Sequence, residues 1–214
     1  MPDVRIATIN GEETVLKESV IEALKADLRG QLLMSESRDY DEARVIWNAM
    51  IDRRPALILS CVCLADIVRA VDFARTHQLL VAVRGGGHNI AGNAVCDGGL
   101  TIDLSPMKSV RVNPATRRAY VEPGARLAEF DHEAQAFDLA TPLGINSTTG
   151  VAGLTLGGGF GWLSRKYGMT VDNLLSADIV HGGCSYPTRE RNGKRRSLLG
   201  TARRRRQLRN RQQI

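Results

Sequence analysis

Apolar residues recur at three- and four-residue spacing over Thr14–Leu33. There Val15, Leu16, Val20, Ile21, Leu24 and Leu28 would share one face, so the pattern predicts an amphipathic helix with Gly30 near its end. Asp41–Met50 predicts a shorter helix with Ala43, Ile46, Trp47 and Met50 on its buried side. Pro55 then precedes a continuous apolar run, Ala56–Ser60, which reads as a buried strand. Leu64–Gln78 is a helix with Ile67, Val68, Val71, Phe73 and Ala74 as its stripe, and Leu79–Val83 is a second strand. Strand, helix and strand in that order predict a βαβ unit with a parallel pair. Leu100–Leu104 alternates as a strand, and Ser109–Asn113 and Arg118–Glu122 form a hairpin across a polar turn. Pro123-Gly124 interrupts the chain before a helix over Arg126–Phe137. His77, at a helix end, reads as favoured by the helix dipole, and His132 as a surface residue.

Two stretches fit neither period. Val81–Asn89, VAVRGGGHN, runs from a strand into Arg84, three glycines, His88 and Asn89. Consecutive glycines let backbone N–H groups turn toward an anion, and a guanidinium suits a phosphate, so His88 stands at the lip of a phosphate-sized pocket. A glycine-rich hairpin with an incidental histidine is the plainer reading of the same residues. Neither the Gly-Lys-Ser/Thr of a P-loop nor a G-x-G-x-x-G opening a helix is present. The second stretch, Thr141–Gly168, is glycine-rich, but Val151, Leu154, Leu156, Phe160, Trp162 and Leu163 punctuate it. That marks packed structure in which backbone approaches a flat ligand or another backbone.

The chain has 214 residues, one or two domains' worth, with 43% hydrophobic residues. It shows no apolar run able to span a bilayer and no secretory h-region, which predicts a cytoplasmic protein without a membrane partner. Cys61, Cys63, Cys96 and Cys184 lack metal-site spacing, so no metal is expected, and Cys61 and Cys63 read as reduced residues of an apolar strand. The net charge of +6 is unevenly placed. Residues 181–214 hold ten Arg, one Lys and one Glu, a net of +10, so the other 180 residues carry −4 (6 minus 10).

Six segments, in order, carry a resemblance: YDEARVIWNAMIDRRPALI, VAVRGGGHNIAG, LTIDLSPM, VEPGARLAEF, GVAGLTLGGGFGWLSRKYGMTVDNL and LSADIV. Together they resemble the FAD-linked oxidases of the berberine bridge enzyme and hydroxynicotine oxidase type, in the vanillyl alcohol oxidase superfamily. The resemblance implies an α+β fold, a PCMH-type FAD-binding domain of two small sheets with flanking helices, incomplete at its C-terminal side. It divides the chain into an N-terminal helical segment (1–38), a partial FAD-binding domain (39–180) and a basic tail (181–214). It implies FAD bound through a single covalent link, from His88 to the flavin 8α-methyl carbon, a reaction that suits a neutral imidazole. Some relatives add a second link from a cysteine; Asn146 stands at the matching place here, so that link is expected to be absent. Arg84, Gly85, Gly86, Gly87, His88 and Asn89 would wrap the pyrophosphate, with Asp103 and Gly124 near them. Gly150, Gly153, Leu154, Gly157, Gly158, Gly159 and Gly161 would lie against the flavin ring and ribityl chain, and Asp172, Asn173 and Ile179 would reach the adenosine side. The implied activity is hydride transfer from a small organic substrate to flavin N5, with reoxidation by O₂. No catalytic residue, substrate or oligomeric state is legible.

The family continues into a substrate domain and further FAD-domain segments. The tail instead lacks apolar periodicity and reads as unstructured, which predicts an inactive fragment of an oxidase. An FAD-binding module without turnover is the alternative. A nucleic-acid-binding protein using the arginines is a third, weakened by the absence of interleaved aromatics, and no specific nucleic acid is expected. The tail also reads as the product of a frame shift near Val180–Gly183. Codons that encode Ser197–Ile214 can, one nucleotide later, spell LFWGLRGGGGNFGIVNK, with Arg203–Arg206 becoming four glycines. That peptide looks like the family's next FAD-domain segment.

Overall fold

The computed structural model describes residues 3–182 and the strand 188–191. The chain starts with an antiparallel hairpin, β1 (Val4–Ala7) and β2 (Glu13–Leu16), in which Val4 faces Leu16 and Ala7 faces Glu13. Helix α1 (Glu18–Ala26) and strand β3 (Gln31–Leu33) follow. The single helix predicted over Thr14–Leu33 is therefore a strand, a helix and a strand. Its C-terminal limit comes from far along the chain. The Asp66 carboxylate accepts the N–H groups of Arg29 (2.9 Å) and Gly30 (3.1 Å), which a continuing helix would direct to its own carbonyls. A Cβ on Gly30 would stand 1.9 Å from the carbonyl oxygen of Ser60.

Helix α2 (Tyr40–Arg44) is shorter than the predicted Asp41–Met50 and ends where Val45 becomes extended. Tyr40 is buried and donates its hydroxyl to the Pro55 carbonyl oxygen at 2.6 Å, while Ile46 packs with Ala94, Val95 and Ile51. The turn away from helix leaves Trp47 and Met50 exposed instead of on a buried face.

Strand β4 (Leu57–Ser60), helix α3 (Leu64–Thr76), strand β5 (Val81–Arg84) and strand β6 (Leu100–Asp103) form the central unit. The sheet order is β3-β4-β6-β5. β4 and β5 are parallel, as the βαβ reading requires, but they do not pair; β6 lies between them, parallel to both. The pattern could not show this, because strand order is set by which faces the later strand must cover. Cys61 and Cys63 lie just beyond β4, Cys61 buried and Cys63 at the start of α3. Ile6, Leu16, Ile21 and Leu24 share one core with Leu57, Leu59, Leu100 and Ile102, so β1, β2 and α1 are packed into the main body. Full burial of each of these aliphatic side chains contributes roughly 1.5–3 kcal/mol.

The predicted hairpin is present as β7 (Val110–Asn113) and β8 (Arg118–Val121), with Val110 facing Val121 and Asn113 facing Arg118, and helix α4 (Leu127–Gln135) packs on β7. His77 closes α3 with its ring 4.7 Å from Phe73, and His132 is exposed on α4. The glycine-rich stretch holds short helices α5 (Val151–Leu156) and α6 (Ser164–Tyr167) and a 3-10 turn at Thr170–Asn173. Strand β9 (Ser176–Ile179) pairs antiparallel with β10 (Thr188–Arg191), which falls in the tail read as unstructured. The rest of that tail beyond Gly182, with Cys184, lies outside the described residues.

Candidate cofactor site

The parallel strands β4, β6 and β5 end in register at Ser60, Asp103 and Arg84. Ligands in open α/β sheets bind beyond such carboxyl ends, and the RGGGHN turn leaves from this edge. Asp103 is buried and accepts the N–H and the hydroxyl of Ser105, both at 3.0 Å. Arg84 Nε lies 3.4 Å from Asp103, and Arg84 Nη1 donates to the Ala43 carbonyl oxygen. Both side chains thus brace the base of the turn, so part of the Arg84 charge is already matched.

The glycines above this base serve a close approach between two distant segments. A Cβ on Gly86 would stand 2.4 Å from the Gly150 nitrogen, and one on Gly150 would stand 2.7 Å from the Gly86 nitrogen. The RGGGHN turn and the start of α5 therefore touch backbone to backbone, with room for no side chain. Gly85 meets the Pro123 carbonyl in the same way, and Gly124 donates its N–H to Met107. Gly87 has a φ of +71°, and its carbonyl accepts the Trp47 N–H at 3.1 Å. Among the described residues, the N–H groups of Gly86, Gly87 and His88 have no acceptor. Asn89 is exposed, and its side chain closes the next turn by accepting the Asn93 N–H.

His88 stands at the end of this turn. Its ring stacks on Trp47, centroids 5.1 Å apart and planes 21° from parallel. Its Nε2 lies 2.9 Å from Thr148 Oγ1, which lies 2.8 Å from Asn146 Oδ1. Burial and the nearby Arg126 charge both disfavour the imidazolium and, against a hydrogen bond to the Thr148 backbone that favours it, hold the His88 pKa below the ordinary imidazole value. Trp47 and Thr148 escape a reading of the sequence for different reasons. Helical periodicity assigns Trp47 to a core face, and Thr148 reaches His88 from 60 residues along the chain. The N-S-T-T-G run before α5 was the available signal, since Asn146 Oδ1 also accepts the Thr148 N–H in an Asx turn.

The remaining predicted residues lie along the second stretch. On α5, Gly153 is exposed and a Cβ there would meet nothing within 4 Å. Leu154 is half-buried on the α4–β7 core, and Gly157 donates back to the Gly153 carbonyl. Gly158 and Gly159 bend the chain and accept the Val171 and Thr170 N–H groups, and Gly161 donates to Ser164. Asp172 accepts the Met169 N–H and Asn173 donates to the carbonyls of Tyr167 and Met169, so both side chains hold the 3-10 turn together. Ile179 is half-buried at the end of β9. Thr170 Oγ1 is buried beside Gly159 without a partner among the described residues.

The family described as FAD binding domain matches residues 55–183. The chain belongs to that FAD-binding family. It is 35% identical over 158 residues to (R)-6-hydroxynicotine oxidase of Paenarthrobacter nicotinovorans, covering 74% of this chain and 34% of that protein. It is 32% identical over 146 residues to berberine bridge enzyme-like 27 of Arabidopsis thaliana, covering 66% and 27%. Among solved structures it superposes on 6-hydroxy-D-nicotine oxidase of Arthrobacter nicotinovorans with a TM-score of 0.75 and 33% identity, over 78% of this chain and 37% of that one. The Physcomitrella patens BBE-like 1 protein gives 0.75 and 27%, over 83% and 39%. The chain spans about a third of the length of these relatives. The fold is thus the α+β FAD-binding domain that the six segments imply.

The residues present fit an FAD-binding role. Three successive N–H donors without acceptors suit a pyrophosphate, and the bare face at Gly153 can meet a flat ring. Among the described residues, no group could hold a metal ion, and no helix is long and apolar enough to cross a membrane.

Proposed function

We propose that this chain is the flavin-holding part of an FAD-linked oxidoreductase and that His88 carries the flavin by a single covalent bond. The observation behind this reading is the placement of His88: oriented by Trp47 and Thr148, with its imidazolium disfavoured, and leading out of a turn with three N–H donors that have no acceptor among the described residues. Gly86, Gly87 and His88 would bind the pyrophosphate through their N–H groups. Gly153 and Gly157 would let the ring approach α5. When bound, the flavin would accept hydride at N5 from a small organic substrate and pass electrons to O₂. Asn146 offers no thiol, so a second link would not form. The protein side of that chemistry is orientation and a neutral nucleophilic nitrogen at residue 88.

The test is acid precipitation of the chain after incubation with FAD, followed by in-gel flavin fluorescence. Fluorescence should survive denaturation in the unmodified chain and fall to background in His88→Ala. Flavin that stays bound to the denatured variant would overturn the assignment.

A further inference from the structure

We propose that Asn146 and Thr148 are positioning residues that, whenever the His88 ring carries a single proton, hold it on Nε2 and leave Nδ1 as the nucleophilic nitrogen. The proposal rests on His88 being the flavin-linked residue, as argued above.

The proton placement follows from the donor inventory of three groups. Asn146 Oδ1 accepts the Thr148 backbone N–H at 3.1 Å, which identifies that atom as the amide oxygen. An amide oxygen has no proton to give, so the Thr148 hydroxyl, 2.8 Å away, donates to it. A hydroxyl carries one proton. Toward His88 Nε2, 2.9 Å away on its other side, Thr148 Oγ1 can therefore only accept. Nε2 must be the protonated nitrogen. The ring, when it carries a single proton, then keeps its lone pair on Nδ1.

This gives Asn146 a role beyond the lack of a second link. Without its oxygen, the Thr148 hydroxyl would be free to donate to Nε2 and move the ring proton to Nδ1, the wrong tautomer for attack. In the attachment itself the Nδ1 lone pair forms the new C–N bond to the flavin 8α carbon. One proton leaves that carbon, one leaves the imidazole at Nε2, and two electrons with two protons end on the flavin ring. The flavin is thus the oxidant, and O₂ can restore it afterwards.

The experiment reads the ring proton directly. The nitrogen-15 spectrum of the histidine-labelled full chain before FAD is added, in solution or as a sedimented solid, distinguishes the two tautomers; His88→Gln assigns the signal. The unmodified chain should show His88 protonated at Nε2, and Thr148→Ser should keep that pattern. Asn146→Leu should move the proton to Nδ1, and Thr148→Val should lose the strong preference. Both should slow acid-stable flavin attachment. An Nδ1-protonated ring in the unmodified chain overturns the proposal, and so does an unchanged spectrum in Asn146→Leu and Thr148→Val. If the spectra behave as stated but the unmodified chain never retains flavin after acid, the proton placement holds and the attachment reading fails.

Discussion

At the scale of single residues, the charge state of His88 is set by two influences that disfavour the imidazolium and outweigh a hydrogen bond to the Thr148 backbone that favours it. Burial penalises the imidazolium, and Arg126 repels it. The midpoint of His88, followed by NMR, should lie below the ordinary 6.5, and Arg126→Gln should raise it. The linkage has a definite sign. The unfolded chain binds this proton at a higher pH than the folded one, so stability falls as pH drops below about 6.5 toward the lowered folded value. Denaturation curves at pH 7 and pH 5.5 should show this loss, and His88→Gln should lessen it.

Two glycines make a contrasting pair. Gly86→Ala puts a Cβ against the Gly150 backbone and should cost about 1–3 kcal/mol or more, together with loss of FAD binding. Gly153→Ala meets nothing and improves helix propensity, so it should stabilise the chain by roughly 0.5–1 kcal/mol while weakening FAD. Chemical denaturation and flavin titration together check both. The RGGGHN turn was legible in the sequence because its glycines and histidine carry their chemistry locally. Its supports, Trp47, Thr148 and the Arg84–Asp103 pair, were not read as such, since each depends on which distant segment arrives beside it.

Among the elements, the junction of α1 and β3 hangs on Asp66. This buried carboxylate accepts the N–H groups of Arg29, Gly30 and Val62. Burial alone would raise its pKa, but these donors and Cys63 outweigh that and hold it below the usual carboxylate value. Its contribution is therefore present above about pH 4 and is lost as pH falls through the lowered folded value. Asp66→Ala should cost roughly 2–5 kcal/mol, because it strands several donors at once. The midpoint of urea denaturation at pH 7 measures it. The same carboxylate explains why a helix over Thr14–Leu33 was the natural reading. The local apolar spacing is helical, and the group that stops the helix is 36 residues beyond Gly30. The hairpin β7–β8 was legible because its turn and its alternation agree locally.

For the whole molecule, the frame-shift reading of the tail makes a prediction about the gene. The bases encoding residues 184–214 should contain, one nucleotide on, an open frame spelling LRGGGGNFG. Removing or adding one nucleotide near codon 181 should then yield a longer, yellow protein, whereas a gene without that frame would leave the basic tail as the intended product. The central sheet has a temporal consequence as well. β4 and β5 are made early and joined by α3, yet each finds its parallel hydrogen-bond partner only in β6. A nascent chain emerging from the ribosome therefore holds two unsatisfied strand edges until Leu100–Asp103 is available to slide between them. Sheet closure is one late, non-local event, and in that interval the chain is most exposed to aggregation and most in need of a chaperone.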